Sequence, residues 1–520
     1  MKNQFLFIII VVVFSINATA QLAGTLNTGF SQDGWDATIF GNNDGFYVNK
    51  TLVQPDGKIL VCARAYLQSQ EQQAVIARYN PNGTIDTSFG GGDGIVRSKE
   101  DTAINLHTSA DGMALQNNGK IIVAGDVYSK TERIIRLNID GSIDSTFATG
   151  GFIDITRENS AFIFHVAVQS DNKIIVCGKE RRLANELVEP FVFLWRFTEN
   201  GVLDTSFGKE GMVSYNSKTW LGTSEILLSI NDLILLPDDS ILINQTYTVA
   251  ATSFLMLRKF KANGTFDASF GINGEAIKSE RSKSGSYNYS SSSVQQNGSI
   301  VTSFTSQDEN LMYTTSIYRL NAKGVKDKSF DIKLENPSSI PDLVQVIATP
   351  SEKIYVIKKV NPSGLSFDEI HCYDSDGKPV ETFGKNGIAV INQNNKSTSY
   401  DVYAAVCSNG TIYLASDILT NVGQHLLISN VIGSDSTLAI SDEIATNEIT
   451  VFPNPTNGIA TISLKNNALI DKVELVDSMG KIVTVATENT AEIDLTTYSS
   501  GIYVLKIYSG ERIFQKKIIR

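Results

Sequence analysis

The chain has 520 residues, more than three times the usual ~150-residue domain, so several modules or one large repeat architecture is expected. Charged residues make up 19% and apolar residues 42%, which excludes a disordered polyampholyte, and 11 prolines without a Gly-x-y period exclude collagen. The net charge of −11 comes with no basic cluster, which argues against a nucleic-acid partner.

Residues 1–20 read as a secretory signal peptide. Lys2 is followed by an apolar run from Phe5 to Phe14 and then by Ala18-Thr19-Ala20, a small-x-small cleavage site. The run is too short to cross ~30 Å of hydrocarbon. Residues 21–520 are therefore expected to be exported, with no transmembrane span.

From residue 21 to 432 one pattern recurs. A short apolar run, a tight turn and a second apolar run are followed by a variable stretch, then by a third run, a turn and D-x-S-F-G. The second runs open as PDGKILV at Pro55, NNGKIIV at Asn117 and SDNKIIV at Ser170. The later turn reads NPNGTIDTSFG from Asn80 and TENGVLDTSFG from Thr198. Its phenylalanines, Phe89, Phe147, Phe207, Phe270, Phe330 and Phe383, are spaced 58, 60, 63, 60 and 53 residues apart. Asn-Gly and Asp-Gly pairs supply the positive φ that hairpin turns need, and the β-branched runs beside them suit strands buried between packed sheets. A unit of this kind cannot bury both faces alone, so the expected architecture is an all-β propeller of four-stranded blades.

The ends of this region complement each other. Gly24 to Phe30 repeats the spacing of Gly83 to Phe89, so the chain is expected to open on the last strand of a unit whose earlier strands are missing. The copy beginning near Val402 has its first hairpin and third run but lacks a D-x-S-F strand. Six whole units and one assembled from both ends predict seven blades, closed by the N-terminal segment. The repeats resemble the delta-60 family of bacterial secreted proteins over about Leu22 to Ile432, with Val380 standing where the motif has Asp.

Residues 433–448 are polar and acidic and read as a linker. Residues 449–520 change period, and their alternating runs and Gly turns predict a β-sandwich of six or seven strands. This tail resembles the type A C-terminal sorting domain of the type IX secretion system of Bacteroidetes. The motifs are Pro453-Asn454-Pro455 with Gly458, the turn from Asp477 to Gly480, Gly501-Ile502-Tyr503, and a basic end containing Lys516 and Lys517. The resemblance implies passage across the outer membrane, tail removal, and contact with the translocon and sorting machinery. The prolines are expected to hold an extended entry to the first strand.

Residue chemistry offers little catalysis. His107, His165, His371 and His425 show no metal or triad spacing, and no cofactor or metal is expected. The series Asp86, Asp144, Asp204, Asp267 and Asp327 fits side chains that support local turns better than it fits calcium sites. Cys62 and Cys177 sit where repeat two has Ala124, a small core position, and pairing of Cys372 with Cys407 stays open. The loop between second and third runs varies while the turns do not, which points to a variable recognition face. Tyr66 and Tyr128 hold one repeat position on that face, and Arg181 and Arg182 are expected on a third loop. The favoured reading is a non-catalytic binding module for a glycan, a peptide or a surface protein. The alternatives are a hydrolase or lyase at the propeller mouth, and a structural adhesin.

Overall fold

The computed structural model describes residues 22–520 except 32, 39–44, 67–71, 99–105, 107–109, 129–130, 157–160, 185–186, 217–226, 250–251, 281–289, 308–312, 337–343, 361–366, 392–402, 407–409, 421–422, 435–448, 455, 457, 465–468, 477–481, 488–491, 499–500 and 510–511. The expected signal peptide, with Ala18 and Ala20, lies outside the described residues. The chain divides into compact units at 1–436 and 437–520. No described helix is long and apolar enough to cross a membrane.

In the first unit the described residues form seven four-stranded antiparallel sheets. Sheet two is representative, with strands Ala110–Leu115, Ile121–Tyr128, Thr131–Leu137 and Phe152–Thr156 paired in chain order. Strands one and two join through a tight turn in which Gly119 N–H donates to Gln116 O and Gln116 N–H to Lys120 O. Gly119 takes φ 82° there, and Asn172, Asp239 and Glu352 take the same left-handed conformation at the equivalent turn. Asn and Asp tolerate that region better than most side chains.

The D-x-S-F segment is not a strand in sheet two, contrary to expectation, although in sheet five Asp327 to Phe330 lie within the strand Lys326–Asn336. In sheet two Ile143 makes one bridge to Leu137, the chain then turns through Asp144 and Phe147, and the fourth strand follows at Phe152–Thr156. The aspartate side chain accepts bonds from the residue two ahead and caps this turn, while Asp327 accepts the same bonds from Ser329 within a strand. In sheet two the motif therefore builds the turn between strands three and four, and in each repeat it carries a buried Phe at its end.

The core lies between sheets. Each sheet packs on the next through one apolar cluster, such as Cys62, Ile76 and Phe89 of sheet one against Met113, Val123 and Ile135 of sheet two. Six further clusters of this kind serve the other neighbouring pairs. The motif Phe is a plug for the next repeat: a Cβ on Gly141 (φ +84) would lie 2.7 Å from the Phe89 ring. Backbone bonds repeat the link, from Gly90 N–H to Asp140 O, Ala148 N–H to Asn200 O and Gly208 N–H to Asn263 O.

The opening segment takes part as one of these repeats. Trp35–Thr38 pairs with Gly423–Val431 as the fourth strand of the sheet holding Tyr403–Val406 and Ile412–Thr420. Upstream, Leu26 bridges Val431, Asn27 N–H donates to Asn430 O and Ile432 N–H donates to Thr25 O. Gly384 N–H of sheet six donates to Ala23 O, and Ser31 N–H donates to Asn82 O of sheet one. Phe30 is buried against Gly83, as Phe89 is against Gly141. First strands touch in the order Gly45–Val53, Ala110–Leu115, Ala161–Val168, Leu227–Leu235, Ser292–Val294, Val344–Ala348 and Tyr403–Val406, and the last touches the first.

The second unit holds a three-stranded sheet, Ile449–Phe452, Ile459–Leu464 and Glu492–Asp494, and a four-stranded one, Ile482–Thr487, Lys472–Val476, Ile502–Ser509 and Arg512–Ile519. Val451, Ile462, Val473, Leu505 and Ile518 belong to their common core.

Candidate functional site

The motif edge of the sheets is occupied by structure. Asp144 accepts from Thr146 N–H and Oγ1, from Arg136 Nε at 2.6 Å and from Lys120 Nζ at 2.6 Å. Arg136, 2% exposed, reaches on to Glu199 O of the next repeat and lies 4.7 Å over the Phe147 ring. Burial alone would raise the Asp144 pKa, but the Lys120, Thr146 and Arg136 contacts outweigh it and hold the carboxyl well below the usual range. The set recurs as Arg78, Asp86 and Lys58 reaching Ile139 O, and as Arg196, Asp204 and Lys173 reaching Ala262 O. Turn support was legible in the sequence, whereas the clasp between repeats was not. Its signal is an Arg eight residues before the Asp. In repeat six both charges are gone, and Cys372 and Val380 occupy the pair, joined by the same Val380 N–H to Cys372 O bond.

The opposite edge carries the residues expected to bind. Tyr66 and Tyr128 end the second strands of sheets one and two, seven residues after Ile59 and Ile121 respectively. Arg181 and Arg182 are not on a loop. They lie on the strand Ile174–Ala184, paired with Pro190 and Glu189 on Leu187–Phe197. Repeat three lengthens its central hairpin to 11 residues per strand, against 8 and 7 in repeat two, so the variation is in strand length. The side chains of Tyr66, Tyr128, Arg181 and Arg182 lie outside the described residues.

Seven residues share one register position at or just before the first strands. Counting back seven residues from the positive-φ turn residue gives Lys50, Gly112, His165, Asp232, Ser291, Gln345 and Tyr403. In sheets one to four the first strand bulges immediately before this position, between Val48 and Lys50, Ala110 and Gly112, Ile163 and His165, and Ile230 and Asp232. A bulge re-aims the side chain that follows it. Asp232 Oδ2 accepts from Ser292 N–H at 2.7 Å, and His165 Nε2 lies 3.3 Å from Ile230 O, so this nitrogen carries the proton. Burial pushes Asp232 up to about 6 against the opposing pull of Lys50, Ser292 N–H and Ser291. Burial, with Lys50 adding to it, pushes His165 down to about 4. Lys50 of sheet one thus acts on residues of sheets three and four. Lys50, His165 and Asp232 are half-buried by accessible surface. The shared register lies before the turn and is not visible in the second runs, where the repeats align most clearly.

Among the described residues no group of three or more His, Cys, Asp or Glu could hold a metal ion. Cys62, Cys177 and Cys372 are buried thiols, with Cys372 Sγ 3.5 Å from Ser434 Oγ, and Cys407 lies outside the described residues.

In the tail, Pro453 follows the strand Ile449–Phe452 through a cis peptide bond, so it closes that strand and does not lead into it as expected. Asn454 Oδ1 accepts from Ile519 N–H, tying this turn to the last strand. Gly458 O accepts from Leu495 N–H, and a Cβ on Gly458 would lie 2.8 Å from Thr496. Gly501 and Arg520 exchange backbone bonds, and Tyr503 is buried with its ring 6.0 Å from that of Tyr498. Lys516 is half-buried on the last strand, which also carries Lys517. Pro455, Asp477 and Gly480 lie outside the described residues.

Residues 450–520 match the profile of the secretion system C-terminal sorting domain. Residues 54–89, 116–147 and 169–207 match a β-propeller domain of unknown function, DUF5122. The chain is a β-propeller with a type IX sorting domain. The sorting domain directs the propeller through type IX export to the cell surface or the medium. No curated protein matches the chain. Among solved structures the propeller chain is similar to PorZ of Porphyromonas gingivalis, a surface component of the type IX secretion system, at 12% identity and TM-score 0.30, over 93% of this chain and 75% of that one. It is also similar to the polysaccharide lyase Uly1, at 11% identity and TM-score 0.44, over 76% and 91%. The sialidase of Trypanosoma rangeli is similar at 9% identity and TM-score 0.37, over 91% and 83%. Likenesses this distant bear no functional weight.

Proposed function

We propose that the exported propeller is a non-catalytic binding module that recognises a glycan, a peptide or another surface protein through the edge bearing its second-to-third-strand hairpins. The observation behind this reading is the unequal use of the two edges. The motif edge commits its Asp, Arg and Lys residues to clasps between repeats. The hairpin edge varies in strand length from sheet to sheet and carries Tyr66, Tyr128, Arg181 and Arg182. Variable segments on a rigid scaffold are where recognition concentrates, and tyrosines combine large contact area with a polar tip. Glycan and peptide arrays probed with the mature protein and with its Tyr66→Ala/Tyr128→Ala variant test this. A bound spot is expected whose signal falls about tenfold in the variant, as loss of two aromatic anchors predicts. Binding that the double substitution leaves untouched removes these tyrosines from the surface.

A further inference from the structure

We propose that the motif edge of sheets four and five docks on an anionic membrane surface, its apolar turn residues entering the interface and its lysines facing lipid phosphates. Exposed apolar side chains gather at this junction. Phe266 covers the turn at Gly274, where any Cβ would clash with the Phe266 ring. Ile272 stands on the tip of that same turn and is 78% exposed. Gly271 N–H donates to Lys323 O, which brings this tip against the turn carrying Val325, itself 57% exposed.

The fold does not require these residues. Lys209 and Lys385 hold the position of Ile272 in repeats three and six, and the same backbone bonds close their turns. Thr84 and Ser142 hold the position of Val325 in repeats one and two, where their hydroxyls donate to Asn82 and Asp140. Apolar side chains that replace polar ones on an exposed scaffold turn mark a surface for an apolar partner.

The charges beside them decide which partner. Lys261, Lys323, Lys326 and Lys328 are exposed on the same two repeats, in a chain of net charge −11. Next to Val325 lies a cleft of about 360 Å³, lined also by Arg319, Lys326, Lys328, Ser299 and Asn321. Asp327 shares its wall but accepts from Arg319 Nη2 at 2.6 Å and from Ser329 N–H and Oγ. Asp331 lies 3.4 Å from Lys326. Three cations against two carboxylates leave the cleft net positive, with a hydroxyl and an amide to complete the hydrogen bonds of a phosphate. Ile272 stands on its turn tip outside the cleft. Apolar tips interleaved with lysines suit the interface of a bilayer, where acyl chains and phosphates lie within a few ångströms of each other. The hairpin edge is the opposite one, so this docking and the recognition proposed there stand or fall separately.

The test is cosedimentation of the mature full-length protein with vesicles of phosphatidylcholine alone and with about one third phosphatidylglycerol. Binding to the anionic vesicles is expected, several-fold stronger than to the neutral ones and weakened by salt. Ile272→Ser/Val325→Ser and Lys323→Ser/Lys328→Ser should each lower it about tenfold or more, with melting temperatures unchanged. Absence of vesicle binding overturns the proposal, as does equal binding to both kinds of vesicle. Binding that Ile272→Ser/Val325→Ser leaves intact also overturns it, because charge alone then accounts for it. Dimerisation lost in the same variants, or capture of a glutamate- and leucine-rich peptide, in the absence of vesicle binding would assign the patch to a protein partner and overturn it likewise.

Discussion

Replacing Arg136 by Leu is expected to destabilise the propeller by about 3–5 kcal/mol, the usual consequence of breaking a buried ion pair on one side. The substitution leaves Asp144, which is 4% exposed, with Lys120 as its remaining cationic partner and removes the bond to Glu199 O that ties sheet two to the next repeat. The protein itself suggests the rescue. Repeat six has Cys372 and Val380 in place of the pair with the same backbone bonds around them, so Arg136→Leu/Asp144→Val should recover about 2 kcal/mol of the loss. Denaturant unfolding of the two single variants and the double variant measures the coupling. The Asp144 pKa is depressed in the folded state, so its contribution is present above the ordinary carboxylate pKa and is lost as the pH falls below it. The coupling should therefore be full at neutral pH and shrink in acid. Additive single losses at pH 7 would mean that the clasp does not act as a unit.

Removing residues 22–38 should have a still larger effect. Phe30 and Leu26 leave two different inter-sheet clusters, the one shared by sheets seven and one and the one shared by sheets six and seven. Burial of two large apolar side chains is worth roughly 5 kcal/mol, comparable with the whole stability of many domains. The strand Gly423–Val431 would also lose Trp35–Thr38 and present an open edge, which favours association between chains. The truncated protein is expected to lose its cooperative transition or to aggregate, and the peptide 22–38 added in trans should restore solubility. A truncated protein that melts as the full chain does would show the segment to be dispensable.

The repeat and its period were legible because the turn chemistry is local: Asn-Gly pairs, the capping aspartate and the plug phenylalanine each leave a mark within a dozen residues. The tail was legible for the same reason. The role of D-x-S-F as a turn was not, because its apolar residues at positions 85 and 89 look like alternating strand residues until the aspartate side chain is seen to bend the chain. The clasp joins Arg78 to a carbonyl 61 residues away, and Asp232 of sheet four accepts from Ser292 N–H of sheet five, 60 residues away. Such relations are set by how repeats stack, and no single repeat contains them.

The opening segment completes the last sheet. Leu26 and Val431 form a narrow, non-hydrogen-bonded antiparallel pair, flanked by the bonds from Asn27 N–H to Asn430 O and from Ile432 N–H to Thr25 O. Such pairs bring Cα atoms to about 4.5 Å, within reach of a disulfide. The direct measurement is mild oxidation of the Leu26→Cys/Val431→Cys variant, read by mass spectrometry of peptides from the monomer. An intramolecular peptide linking positions 26 and 431 is expected in most of the material, with a raised melting temperature. Two thiols that stay reduced, or that link only between molecules, would contradict it.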